Sequence, residues 1–218
     1  MKKQIKKRLK EDEFITDVNK SWEFVRKWRK EIMIGAAALG AVALIFFGFQ
    51  LLKSRQIGRD SRELGRILEI RSALATNPQD VSKLEQAAAK GKYARVAALG
   101  LATHWVEQGQ LDKAQAALSL VKDAPRDFTH YQARDLAAQI AILKGDYDSA
   151  LDILKKIEDE KPKDYVLEAV LFHRAEALEK KGSVSEALAI YRKLQEEYAQ
   201  SYYGYDASLR VRKLEAAK

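Results

Sequence analysis

The sequence predicts an all-α chain, with a single membrane-spanning helix followed by a solenoid of helical hairpins. Three observations carry that expectation. Residues 32–52 are 21 positions without a charge, and Gln50 is the only strongly polar side chain among them. A punctuation of glycine and alanine recurs three times in the second half of the chain, at intervals of 36 and 37 residues. No stretch shows the two-residue alternation or β-branched enrichment of strands. The three prolines, Pro78, Pro125 and Pro162, each fall where one helical pattern yields to the next, in keeping with a missing N–H and a fixed φ.

In chain order, residues 1–31 form a basic tail with 11 Lys/Arg against 6 Asp/Glu. Ile15, Val18, Trp22 and Val25 recur there at helical spacing, with basic residues on the other side. Two readings fit: an amphipathic helix lying on the membrane surface, or a solvated basic tail. Residues 32–52 follow as the expected transmembrane helix. At 1.5 Å per residue it is roughly 31 Å long, matching a hydrocarbon core of about 30 Å. Trp28, Arg29 and Lys30 before it, and Lys53 and Arg55 after it, are expected membrane anchors. A cleavable signal peptide would have a shorter leader and a small-residue cut site, not Lys53-Ser54-Arg55. A buried core helix would be shorter and carry polar residues on one face. Ala36 with Gly40, and Ala37 with Ala41, make small-xxx-small pairs that admit a second helix. Alanine-rich spans produce such pairs by chance, so they leave a homo-oligomer unsupported.

Residues 53–76 are expected as a juxtamembrane helix, marked by Ile57, Leu64, Ile67, Leu68 and Leu74 and stopped near Asn77-Pro78. Residues 77–218 form the repeat domain. Its three signatures are Ala102, Gly109 and Ala114; Ala138, Gly145 and Ala150; and Ala175, Gly182 and Ala187. Leu118, Leu154 and Tyr191 each follow the second alanine by four positions. A small residue on each of two helices lets them cross closely, and the glycine takes the left-handed turn that ends the first helix. The larger residue fills the groove toward the neighbouring hairpin. This pattern resembles the tetratricopeptide repeat. The resemblance covers roughly 95–200, with a period two or three longer than the usual 34 and weakly matched Trp and Leu-Gly positions. A helical pair at 79–104 serves as an irregular leading unit. Tyr198 to Lys218 read as a capping helix with a polar outer face, its tyrosines packed between the last repeat and the cap.

Charge and composition exclude several functions. Of the net charge of +8, the tail supplies +5, and the other 166 residues hold 28 basic against 25 acidic. No basic stripe interleaved with aromatics appears, so no nucleic-acid partner is expected; the tail's cations suit anionic lipid heads. Cysteine is absent, which removes disulfides and thiolate metal sites. His104, His130 and His173 are far apart and lack a second ligand at helical spacing. No phosphate loop or nucleophile elbow is present, and Glu158-Asp159-Glu160 read as a solvated loop before Pro162. No catalytic, metal or cofactor site is expected, and the chain is not expected to be an enzyme. Lys/Arg counts beside the span are nearly even, and the cluster from Lys2 to Lys10 tips the N-terminus toward the cytoplasm.

The motif Lys10-Glu11-Asp12-Glu13-Phe14 ahead of Trp22, Phe24 and Val25, followed by one span and degenerate repeats, resembles the YfgM-like family of single-span bacterial membrane proteins. That resemblance implies a cytoplasmic N-terminus, a periplasmic helical domain, and contacts with the Sec translocon and periplasmic folding factors. The expected function is therefore a non-enzymatic adaptor of the inner membrane. Its expected partners are translocon subunits, periplasmic chaperones or client chains, and membrane lipid. The alternative is a membrane-tethered scaffold for cell-envelope or polysaccharide assembly.

Overall fold

The computed structural model describes residues 26–121, 125–163 and 165–216, without the side chains of Ile32 and residues 35–40. The amphipathic pattern of the tail, the Lys10–Phe14 motif, and Ala36, Ala37 and Gly40 of the small-residue pairs lie outside that description. Among the described residues all regular structure is helical. The helices are α1 (Arg29–Ala73), α2 (Val81–Ala89), α3 (Ala94–Glu107), α4 (Leu111–Ser119), α5 (Phe128–Lys144), α6 (Tyr147–Glu160), α7 (Leu167–Lys181), α8 (Val184–Glu197) and α9 (Tyr202–Ala216). A short 3₁₀ turn at Pro78–Asp80 leads into α2.

The chain divides into two compact units, Met1–Arg59 and Asp60–Lys218. In the first, Met33, Ile34, Val42, Leu44, Ile45, Phe46, Phe47, Phe49, Leu51 and Leu52 are between 59% and 75% exposed. A helix in water turns an apolar stripe inward; this one presents apolar side chains around its circumference. Among the described residues no helix is long and apolar enough to cross a membrane. Seven of the 21 uncharged positions lie outside the described side chains.

The second unit is a stack of antiparallel helical pairs. Ile67 and Leu74, near the end of α1, join Leu84 and Ala88 of α2 and the buried alanines of α3 in one core. The hairpins α3/α4, α5/α6 and α7/α8 follow, and α9 closes the stack against α8 and α7. Ala102, Ala114, Ala138, Ala150, Ala175 and Ala187 are all 0% exposed. With no side chain beyond Cβ, each lets a neighbouring helix approach its backbone. Gly109, Gly145 and Gly182 sit between the paired helices with φ of 68°, 81° and 92°. At Gly145 the turn is closed by Gly145 N–H to Ile142 O at 3.1 Å and Asp146 N–H to Ala141 O at 2.9 Å, which satisfies carbonyls that the helix end leaves open.

A Cβ added at Gly145 meets nothing within 4 Å, so the cost of Gly145→Ala is conformational alone. It is expected to destabilise by about 1–2 kcal/mol. In a chain of this size that is a fall of roughly 2–8 °C in Tm, read by circular dichroism. An unchanged Tm would show that the turn relaxes at no cost.

Two expectations are corrected here. Glu158-Asp159-Glu160 are not a solvated loop: they are the last turn of α6, and α6 ends at Lys161 in the left-handed region with φ 46° before Pro162. Glu158 accepts from Arg174 at 2.6 Å, and Glu160 accepts from Arg134 at 2.8 Å and Tyr131 at 3.0 Å. Only Asp159 behaves as a solvated carboxylate, paired one turn back with Lys155. The cap's tyrosines also divide. Tyr203 packs on Phe172 with ring centroids 5.6 Å apart, whereas Tyr202 and Tyr205 face solvent at 74% and 63% exposed. The outer face of α9 therefore carries Tyr202, Tyr205 and Leu209 beside the exposed charges of Arg212, Lys213 and Glu215.

Candidate protein-binding face

The first helices of the second and third hairpins, α5 and α7, carry the polar groups that are hardest to explain as scaffold. α5 starts at Asp127, whose carboxylate accepts the His130 N–H at 3.0 Å, a side-chain N-cap that satisfies one open donor. The same carboxylate takes a two-pronged contact from the Arg95 guanidinium of α3, at 2.7 and 2.8 Å. The bond to Arg95, aided by the backbone N–H of His130, holds the Asp127 carboxyl down at about 2.

A carboxyl held below its ordinary value stabilises the fold at higher pH. The Asp127 contribution is complete above the ordinary 3.8 and is lost as pH falls through about 2. Asp127→Ala is expected to cost about 1–2 kcal/mol at neutral pH through loss of the cap. It should also flatten the decline of Tm across that acid window. A variant whose acid-side Tm profile superimposes on the parent's would remove Asp127 from this role.

About two turns beyond Asp127, Asp135 is 4% exposed. Its Oδ1 lies 2.8 Å from His173 Nδ1 on α7. Its Oδ2 accepts from the Tyr165 hydroxyl and from Gln139 Nε2, both at 3.1 Å. A carboxylate only accepts, so Nδ1 of His173 carries the proton. A buried carboxylate is tolerated because these partners replace its water. Burial, then the Asp135 carboxylate, pushes the Tyr165 phenol well above its usual value.

Aromatic rings extend from this network in both directions. Tyr165 lies 5.6 Å from Phe128 and 6.2 Å from Tyr131 by ring centroids. His173 lies 6.0 Å from Tyr203 of α9. Phe128 and Val166, 48% and 44% exposed, open this row to solvent. Large amphipathic rings held rigid by packing are the groups that dominate protein interfaces.

A second feature is a cleft of about 600 Å³ between α4 and α5, lined by Leu118, Val121, Ala133 and Ala137 with His130 and Arg134. Burial, then the Arg134 charge, lowers the His130 imidazole. Lys144 bridges the two helices beside the cleft, bonding Asp112 at 2.7 Å and Gln115 at 2.8 Å. Among the described residues no group of three His, Cys, Asp or Glu side chains is placed to hold a metal ion.

The residues singled out from sequence fall elsewhere. Trp28, Arg29, Lys30, Lys53 and Arg55 are exposed on or beside α1. The repeat alanines and glycines build the hairpins and take no part in the aromatic row. Asp135, Tyr165 and His173 were missed as a group. One signal was available: a carboxylate in the apolar run Asp135-Leu136-Ala137-Ala138 sits where helical periodicity buries it.

A family model described as a tetratricopeptide repeat-like domain matches residues 22–193. The match begins well before residue 95, where the repeat pattern becomes readable in the sequence. No curated protein and no solved structure shows significant similarity to the chain.

Proposed function

The chain belongs to the tetratricopeptide repeat-like domain family, and we propose that it works as a membrane-anchored protein-interaction adaptor of the bacterial inner membrane. Domains of this kind are typically non-catalytic and generally bind protein partners along the surface made by stacked helices. The observation that carries the reading to a place on this molecule is the aromatic row around Asp135, contributed by α5, α7, α9 and the α6–α7 connection.

The proposed anchor is residues 32–52, with a tail at 1–31, a juxtamembrane helix at 53–76 and repeats at 77–218. It is supported by the uncharged run and by ten large apolar side chains standing exposed on a helix, an arrangement that water penalises and lipid does not. A cytoplasmic N-terminus and a periplasmic repeat domain are supported by the Lys2–Lys10 cluster and by the resemblance to the YfgM-like family. The same resemblance supports translocon subunits, periplasmic chaperones or their client chains as partners.

The test is site-specific photocrosslinking in intact cells, with the probe at Phe128 or Val166. Adducts with translocon subunits or periplasmic chaperones are expected. A probe at Lys156, exposed on α6, serves as the reference. Equal, non-specific adducts from all three sites would sink the assignment of this face. A topology reporter fused at Lys218 that is active only in the cytoplasm would overturn the orientation.

A further inference from the structure

α9 packs on α8 and α7 through one face and turns aromatic, apolar and charged side chains to solvent on the other. α9 buries Gly204, Ala207 and Val211 and leaves Tyr202, Tyr205 and Leu209 exposed on its far side, at 74%, 63% and 40%. Spacings of three and four put these three on one stripe, and Ala216 continues it. We propose that this stripe is the contact of a symmetric dimer, in which α9 lies antiparallel to α9 of a second copy of the chain, centred on Leu209.

Charge complementarity selects a second copy as the occupant. In an antiparallel pair with its two-fold axis at Leu209, residues meet when they lie on the same side of the contact at similar distances before and after 209. On one side Asp206 meets Lys213 of the second copy, of opposite charge. On the other Tyr205 meets Arg212, an aromatic face and a cation; an aromatic–cation contact already occurs within the chain, with Lys113 Nζ 4.4 Å from the centre of the Trp105 ring. Near the midline Tyr202 meets Ala216, a large ring over a small residue. The symmetry makes each contact twice. The neighbouring charges are already used: Arg210 is held by Glu179 and Glu215 by Arg192. Asp206, Arg212 and Lys213 form no ion pair among the described residues. One helix from each copy is a narrow contact, so the pairing is reversible. It does not depend on which protein the repeats bind.

The chain has no cysteine, which makes single-cysteine crosslinking clean. In the full chain purified in detergent, Leu209→Cys places the thiol on the axis. It is expected to form a disulfide dimer about tenfold faster than Lys193→Cys, an exposed position on α8, because pairing raises its effective concentration. Adding Asp206→Lys or Lys213→Asp alone should return the rate to that of the reference. The two together should restore it. Circular dichroism establishes that each variant is folded. A Leu209→Cys rate equal to the reference overturns the proposal, as does a dimer indifferent to the charge variants. Capture of a different protein at Leu209→Cys in intact membranes, in place of its own copy, overturns it as well.

Discussion

Asp135→Ala is expected to destabilise the repeat unit by about 3–5 kcal/mol, the range for removing one member of a buried, hydrogen-bonded charged group. The carboxylate is 4% exposed and is the shared acceptor for His173, Tyr165 and Gln139. Its removal leaves these donors facing a space that an alanine methyl does not fill, at about 1–3 kcal/mol for each group that stays unsatisfied. The His173 side chain, 12% exposed, has the least access to replacement water. Asp135→Asn keeps the shape and one acceptor oxygen, and the His173 ring can change tautomer to accept the new amide. Its expected cost is smaller, about 1–2 kcal/mol. Urea unfolding of the pair of variants separates the two effects. An alanine variant within 1 kcal/mol of the parent would show that the network adds nothing. Because Asp135 and His173 tie α5 to α7, amide exchange in α7 should accelerate more than exchange in α3.

Gly204→Ala is the second large effect, and its cause is space. A Cβ at this position would stand 1.9 Å from the Tyr198 carbonyl oxygen and 2.5 Å from its carbon. Both are backbone atoms, and Tyr198 is itself bonded through its N–H to Leu194 O at 3.0 Å. The clash can be relieved only by moving α9 away from the end of α8. Overpacking of this kind costs about 3 kcal/mol or more, a fall of roughly 6–12 °C in Tm. The same displacement opens the core that Ala207 and Val211 share with Phe172, Tyr191 and Leu194. Limited proteolysis should then cut α9 first. Resistance equal to the parent's, with an unchanged Tm, would show that α9 moves away from Tyr198 at no cost. The contrast with Gly145→Ala is informative: there the space is open and only the left-handed backbone resists.

Much of the fold was legible in short stretches of sequence. Gly109, Gly145 and Gly182 mark their turns because a left-handed residue at a helix end is a local demand that glycine meets most cheaply. Ala102, Ala138 and Ala175 stand seven residues before them, a separation set by helix geometry alone. The division between a span at 32–52 and a juxtamembrane helix at 53–76 is less visible in the backbone, where one helix runs Arg29–Ala73. Lys53, Ser54 and Arg55 change polarity without breaking a helix. Glu158 and Glu160 were misread because a helix end is solvated or paired according to its neighbours, and Arg174 and Arg134 reach it from other helices.

By itself, then, the sequence determined helical class, hairpin punctuation, the apolar run and the lack of any thiol. Each is written in the spacing or identity of residues within a few turns of one another. Only the tertiary structure decided that Asp135 meets His173 from 38 positions away, that Gly204 is where two backbones touch, and that Tyr203 packs on Phe172 while Tyr202 and Tyr205 stay exposed. Those outcomes depend on how separate helices stack, and helical period is silent about which neighbour a buried polar group will find.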